Sequence, residues 1–181
     1  MNKEFIPTMK KLLFFLFLFG ASRACTQVPE VRPSIQNPAF DQRLTELLSF
    51  TIPLIGVKEL KQNLNNYQIL DAREREEYDI SHIPGALYIG YKAFDESLTK
   101  KLDKQKPIVV YCSVGYRSEK IAERLRALGF QKVYNLYGSI FEWANLGYPL
   151  VDTQGQITHR IHTYNEAWSR WVEAKGLEEI W

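Results

Sequence analysis

The sequence predicts an α/β fold, a five-stranded parallel sheet with helices on both faces, extended by a C-terminal helical segment. Strand-like and helix-like patterns alternate between residues 40 and 150, the order of a parallel sheet with crossover helices. Pro107, Ile108, Val109, Val110 and Tyr111 form an apolar, largely β-branched run without alternation, as expected for a strand buried on both faces. That run leads directly into Cys112, and helical spacing follows at once. A candidate nucleophile therefore stands at the carboxyl end of a strand, where sites in such sheets form.

The elements follow in order. Residues 40–48 place Phe40, Leu44, Leu47 and Leu48 at helical spacing, and 51–55 read as a short strand. A helix is expected over 57–64, with Val57, Leu60 and Leu64 on one face, then a strand over 67–70 ending at Asp71. Residues 74–80 are acidic and read as a helical turn or more. Residues 86–89 form a third strand, and 94–102 an amphipathic helix. The central strand at 107–111 is followed by a strong helix over 116–128, with Ile121, Ala122, Leu125 and Leu128 in phase. Gly129 stops it. A fifth strand over 132–136 and a helix over 139–145 complete the domain. In the tail, Tyr164, Ala167, Trp168, Trp171 and Val172 share a helical face up to about Ala174, and Gly176 follows. Its aromatic residues suit either a helix packed outside the domain or a docking surface.

The ends of the chain are of another kind. Lys10 and Lys11 precede the apolar run 12–19, and Gly20, Ala21, Ser22 and Ala24 are small, which is the layout of a secretory signal. The run is too short for an ordinary membrane span of about 20 residues. The stretch 22–25 resembles a bacterial lipobox ending at Cys25, although Ser22 and Arg23 depart from the usual pattern. Lipidation at Cys25, simple secretion after Ala24 and an uncleaved anchor all stay open. The resulting division is 1–24 signal peptide, 25–39 linker, 40–150 catalytic-type domain and 151–181 C-terminal helical extension. The linker holds three prolines and few large apolar residues, which suits an extended tether. The expected location is the periplasmic side of a bacterial membrane, held by a lipid anchor.

Composition narrows the chemistry. The 181 residues carry a formal net charge of +2. Residues 1–24 hold four basic residues and one acidic, so the chain from Cys25 onward has 19 basic and 20 acidic residues, a balance of −1. The apparent basicity belongs to the signal, and no nucleic-acid partner is expected. Two cysteines make neither a disulfide framework nor a thiolate zinc site. His82, His159 and His162 lack ligand spacing, so no metal is expected.

The loop 112–118 reads Cys-Ser-Val-Gly-Tyr-Arg-Ser. The helix that follows presents free N–H groups and the positive end of its dipole. A loop curling round the sulfur turns backbone N–H groups inward as an anion nest, and Gly115 permits the required backbone angles. Arg117 adds a permanent charge. Together these favour the thiolate, the nucleophilic form of cysteine.

Four motifs in order then resemble the rhodanese family across roughly residues 50–150. They are Ile69-Leu70-Asp71-Ala72-Arg73-Glu74 with Glu77-Tyr78; Ser81-His82-Ile83-Pro84-Gly85-Ala86; Val109-Val110-Tyr111-Cys112 through Arg117-Ser118; and 135–140 with Trp143. The resemblance implies a single-domain, thiosulfate-type sulfurtransferase. Cys112 would carry a persulfide held by Ser113, Val114, Gly115, Tyr116, Arg117 and Ser118. The donor would be thiosulfate or a persulfide, the acceptor a thiol or cyanide, and no metal or organic cofactor is needed. Asp71 and Arg73 would brace the loop as an ion pair, and His82 would be a turn residue. Val114 and Tyr116 would face outward and select the substrate, while Tyr137 and Trp143 would pack the core. Five positions separate Cys112 from Arg117, the sulfur-sized loop. Related phosphatases and arsenate reductases carry one residue more. Arg117 itself tilts the donor toward thiosulfate or a persulfide. The alternative is a binding or persulfide-carrying module on the same scaffold with little turnover.

Overall fold

A computed structural model describes residues 28–181. The expected signal segment and Cys25 lie outside these residues. Five strands form one parallel sheet: β1 (Leu54–Ile55), β2 (Gln68–Asp71), β3 (Leu87–Tyr88), β4 (Ile108–Tyr111) and β5 (Val133–Leu136), in the order β1-β5-β4-β2-β3. The expected central strand is β4, and all four of its residues are buried. Its side chains alternate between two cores. Val109 and Tyr111 face α1 (Pro38–Leu47), α2 (Val57–Gln62) and α6 (Ser139–Asn145), whereas Ile108 and Val110 face α4 (Glu96–Thr99) and α5 (Tyr116–Ala127). The period of two along an extended chain produces this partition, and helices on both sides complete it.

Registry sets the place of the site. Asp71 is paired with Tyr111, so β2 and β4 end side by side, and Cys112 follows immediately. α3 (Arg75–Ile80) leaves β2 at the same edge. α1 begins cleanly because the Asn37 side chain accepts from the N–H groups of Ala39 and Phe40, with Pro38 in the first turn.

Several elements are shorter than their patterns. The strand expected over 51–55 is reduced to Leu54–Ile55. The N–H groups of Ser49 and Thr51 donate to the buried Glu119 carboxylate at 2.9 Å each and so cannot join the sheet. The amphipathic stretch 94–102 keeps one helical turn, Glu96–Thr99, capped by Asp95.

The tail is a larger correction. The helix expected across 164–174 is confined to α7 (Glu166–Ser169), and short strands surround it: β6 (Leu150–Val151) pairs with β7 (Ile157–Thr158), and β8 (Arg160–His162) with β9 (Glu178–Ile180). The N–H groups of Trp171 and Val172 donate three residues back, to Trp168 and Ser169, so the turn tightens instead of propagating. Pairing of β9 with β8 then claims the end of the chain. The aromatic residues do pack: Trp171 stacks on Phe40 with ring centroids 5.4 Å apart, and Arg43 lies 5.6 Å over Trp168.

The expected tether is also more attached than its composition suggests. Arg32 pairs with Asp41 at 2.8 Å, the Gln36 N–H donates to Glu142 at 3.0 Å, and Ile35 packs on the core. The proline-rich stretch is extended, but from Arg32 onward it lies against the domain. Among the described residues no helix is long and apolar enough to cross a membrane, and no cluster of side chains could hold a metal ion.

Candidate active site

The loop from Cys112 to Ser118 joins β4 to α5, and its geometry follows from how its carbonyls are held. Ser139 begins α6, and the first-turn N–H groups of Ile140 and Phe141 donate to the carbonyls of Cys112 and Ser113 at 3.2 and 3.3 Å. These helix donors have no partner within α6. Because a trans peptide sets C=O and N–H in opposite directions, the N–H groups of Ser113 and Val114 point away from α6. The Gly115 carbonyl is held by Asn135 Nδ2 and by Ser118 Oγ, both at 3.0 Å. With its carbonyls so committed, the loop curls, and the Gly115 N–H donates to Cys112 Sγ at 3.1 Å.

Gly115 is required twice over. Its φ is +123°, a region that L side chains rarely enter, and an added Cβ would stand 3.4 Å from Leu48 Cδ2. Ser118 Oγ lies 3.6 Å from Sγ and 2.7 Å from Asn135 Oδ1. With the Gly115 carbonyl these make three acceptors for one hydroxyl proton, so Ser118 donates to only one of them at a time. The first-turn N–H groups of α5 add the positive end of that helix. Cys112 is 1% exposed, and its own N–H donates to Ser139 Oγ at 3.2 Å. The result is a buried sulfur lined by donors, able to act as a nucleophile and to hold a second sulfur bearing negative charge.

Arg117 makes no hydrogen bond to the sulfur. Its guanidinium grips Glu77 with both terminal nitrogens, Nη1 to Oε2 at 2.5 Å and Nη2 to Oε1 at 2.8 Å, and Nη2 also donates to Ser113 Oγ at 2.9 Å. Glu77 further accepts from Ser113 Oγ and from the Glu74 N–H. Burial alone would raise the Glu77 carboxyl, but hydrogen bonds and charge from Arg117 outweigh it and hold the group below its ordinary value of 4.5. Burial pulls Arg117 down, but its hydrogen bonds to Glu77 and the negative charge of the Cys112 and Glu77 side chains raise it above its ordinary value. The cation expected beside the thiol is thus neutralised by a carboxylate forty residues earlier. Its main effect is to tie the loop to α3.

Asp71 and Arg73 form a second, fully buried pair at 2.7 Å. Arg73 Nη2 also donates to the Ser81 carbonyl, and its guanidinium lies 5.8 Å over the Tyr111 ring. The Tyr111 hydroxyl accepts from the Ile83 N–H at 3.1 Å. These contacts lock the ends of β2 and β4 to the 81–86 turn and stay away from the sulfur. His82 stacks on Tyr78, and its Nδ1 lies 3.1 Å from the Tyr78 carbonyl. Burial lowers its pKa below 6.5, and its side-chain partner is Tyr78, not the loop. Tyr137 and Trp143 are fully buried. Tyr116 is exposed as expected, but Val114, expected to face outward, is only 6% exposed and joins the core that faces α1 and α6. An isopropyl group so close to an apolar wall gains by burial.

A cavity of about 210 Å³ opens above Cys112. The loop supplies part of its lining through Ser113, Val114, Tyr116 and Arg117. The rest comes from residues that the sequence did not suggest: Leu47 of α1, Glu74, Tyr91, Lys92, and Tyr164 and Trp168 of the tail. Glu77 and Asn135 were also missed as supports. Asn135 left one signal, an amide in a strand otherwise apolar at Val133 and Leu136. Nothing local marked Glu77 as the partner of Arg117.

Comparison with known proteins agrees with this geometry. The family model described as the rhodanese-like domain matches residues 56–146. The thiosulfate sulfurtransferase GlpE of Coxiella burnetii is 37% identical over 75 residues, 41% of this chain and 69% of the relative. A rhodanese-like domain protein from Staphylococcus aureus superposes with a TM-score of 0.50 at 30% identity, covering 56% of this chain and 99% of that one. The rhodanese-like domain of an Anabaena protein does so with a TM-score of 0.52 at 28% identity, covering 55% and 79%. A buried cysteine at the carboxyl end of β4, a loop of sulfur-sized length around it and these similarities together place the chain in the rhodanese-like family, among relatives that include sulfurtransferases.

Proposed function

We propose that this protein is a sulfurtransferase that carries sulfane sulfur on Cys112. The observation that carries the proposal is the Gly115 N–H aimed at Cys112 Sγ at 3.1 Å, at the floor of an open cavity. The Cys112 thiolate attacks the outer sulfur of a donor. With thiosulfate, the S–S bond breaks, sulfite leaves with the electron pair, and the enzyme is left as the Cys112 persulfide anion. An acceptor thiolate or cyanide then attacks the outer sulfur and leaves as a persulfide or thiocyanate, and the Cys112 thiolate returns. The cycle is two-step and ping-pong. The similarity to GlpE supports thiosulfate as one donor. The signal pattern over 1–24 and the lipobox-like Cys25 support export and lipid anchoring on the periplasmic side of a bacterial membrane.

The test is the intact mass of the protein lacking residues 1–25 after exposure to thiosulfate or an organic persulfide, beside Cys112→Ala. A gain of one sulfur atom on the wild type alone, removed by cyanide with release of thiocyanate, is expected. A folded, reduced protein that gains no sulfur from any donor overturns sulfur transfer and leaves a binding module.

A further inference from the structure

We propose that the two segments flanking the family domain form a specificity wall at Cys112, and that this wall selects a sulfur donor with an apolar organic body over thiosulfate. The inference rests on the sulfurtransferase reading and names the substrate class for the same site.

Three lining residues, Leu47, Tyr164 and Trp168, lie outside residues 56–146, the span of the family match. The segments that carry them hold each other. Asn37 Nδ2 donates to Glu173 at 2.6 Å, Phe40 stacks on Trp171, and Arg43 covers Trp168. Asn145 of α6 fastens the tail by donating to the Trp171 carbonyl at 2.8 Å and accepting from the Glu173 N–H at 2.7 Å. The wall is therefore a built structure and not a loose end of the chain.

Tyr164 is its most informative residue. Its φ is +70°, the left-handed region, which is costly for a bulky side chain and persists only where the surroundings impose it. The surroundings do so. The Tyr164 N–H donates to His162 Nδ1 at 3.0 Å, the buried Thr163 N–H to the Ile180 carbonyl at 2.7 Å, and the Asn165 side chain caps α7. The held ring lies 5.1 Å from the Arg117 guanidinium and lines the cavity while staying 52% exposed. The strained ring is thereby kept half in water, stacked on Arg117 in the lining of the cavity that contains Cys112.

The charges at the cavity disfavour a small dianion. Arg117 is paired with Glu77, and the lining holds one further residue of each sign, Lys92 and Glu74. The remaining lining is mainly apolar and aromatic. Thiosulfate would bring two negative charges to a lining whose one unpaired cation, the exposed Lys92, is accompanied by the Glu74 carboxylate, and a charge left unpaired against apolar walls is costly. An aromatic or aliphatic body fits instead: an apolar cavity of about 150 Å³ already accommodates benzene. In cells the matching class is a low-molecular-weight organic persulfide, RS–SH. Cys112 thiolate takes its outer sulfur, RS⁻ leaves, and the enzyme holds the persulfide.

The experiment uses stable probes that differ only in the group left behind. Benzenethiosulfonate and thiosulfate both present a terminal sulfur, and attack by Cys112 releases benzenesulfinate or sulfite respectively. Transfer to cyanide is followed for each with the chain lacking residues 1–25. The expected kcat/KM ratio favours benzenethiosulfonate by roughly tenfold or more, the scale of discrimination in an apolar pocket. Tyr164→Ala and Trp168→Ala lower that ratio by about tenfold, and Tyr164→Phe restores it. Circular dichroism confirms that each variant is folded, and Tyr164→Ala, at a half-exposed position, keeps the test open should Trp168→Ala fail to fold. A ratio near one, or a ratio unmoved by Tyr164→Ala, overturns the wall as a specificity element while leaving sulfur transfer intact. Loading by neither probe overturns both.

Discussion

Replacing Glu77 with Gln tests how the active loop is held. The carboxylate is 3% exposed and receives four hydrogen bonds, two from Arg117, one from Ser113 and one from the Glu74 N–H. The amide keeps the shape but leaves the Arg117 charge, whose side chain is only 11% exposed, without its counter-ion. Removing one partner of a buried pair costs about 3–5 kcal/mol, because the survivor stays desolvated and uncompensated. For a chain of this size that corresponds to a fall in Tm of roughly 6–20 °C. The pH dependence carries a second signature. Arg117 holds the Glu77 carboxyl below 4.5 in the folded state, so its contribution to stability is complete above about pH 4.5. It is lost as the pH falls through the lower folded value. Glu77→Gln removes this component, and urea unfolding at a series of pH values from neutral downward separates the two proteins. A loss below about 1 kcal/mol at neutral pH, or parallel curves for wild type and variant in acid, would refute the view that this pair anchors the loop. Sulfur loading of Cys112 at matched folded fraction should also slow, since Ser113 and Arg117 lose their common acceptor.

Other perturbations probe the remaining supports. Gly115→Ala forces a Cβ into a backbone at φ +123° and to 3.4 Å from Leu48, so a loss of about 1–3 kcal/mol and slower sulfur loading are expected; an unchanged Tm and rate would show that the loop relaxes freely. Arg73→Met leaves Asp71 buried without its partner and should destabilise by about 3–5 kcal/mol by denaturant unfolding, whereas the double variant Asp71→Leu/Arg73→Met should recover much of the loss; no recovery would mean that the pair does more than neutralise itself. His82, kept neutral by burial, should titrate below 6.5 by NMR with Cys112 loading unaffected by His82→Gln; a midpoint above 6.5 would contradict its packed, uncharged role.

Much of this protein was legible in the order of its residues. The alternation of strand and helix patterns specified the parallel sheet, and the unbroken apolar run at 107–111 identified the central strand. A cysteine directly after that strand, a glycine three positions on and a helix beginning next are local facts, and they define a loop that wraps a sulfur. Such features can be read because period, turn chemistry and helix ends depend on neighbours in sequence. Other features depended on distance in space. Arg117 reads as a free cation until folding sets Glu77 beside it, and the 164–174 stretch reads as one helix until β9 pairs with β8 and ends it. Asn135 became a support for the loop only when β5 lay beside β4. The cavity wall is the clearest case: Leu47 and Tyr164 are more than a hundred residues apart, and nothing local to either points to Cys112. The sequence by itself determined the sheet, the place of Cys112 at the end of its central strand and the length of the loop that follows, since these arise from adjacent residues. Only the tertiary structure decided which charges cancel and what covers the sulfur, because those are set by contacts between segments whose spacing along the chain carries no record of their meeting.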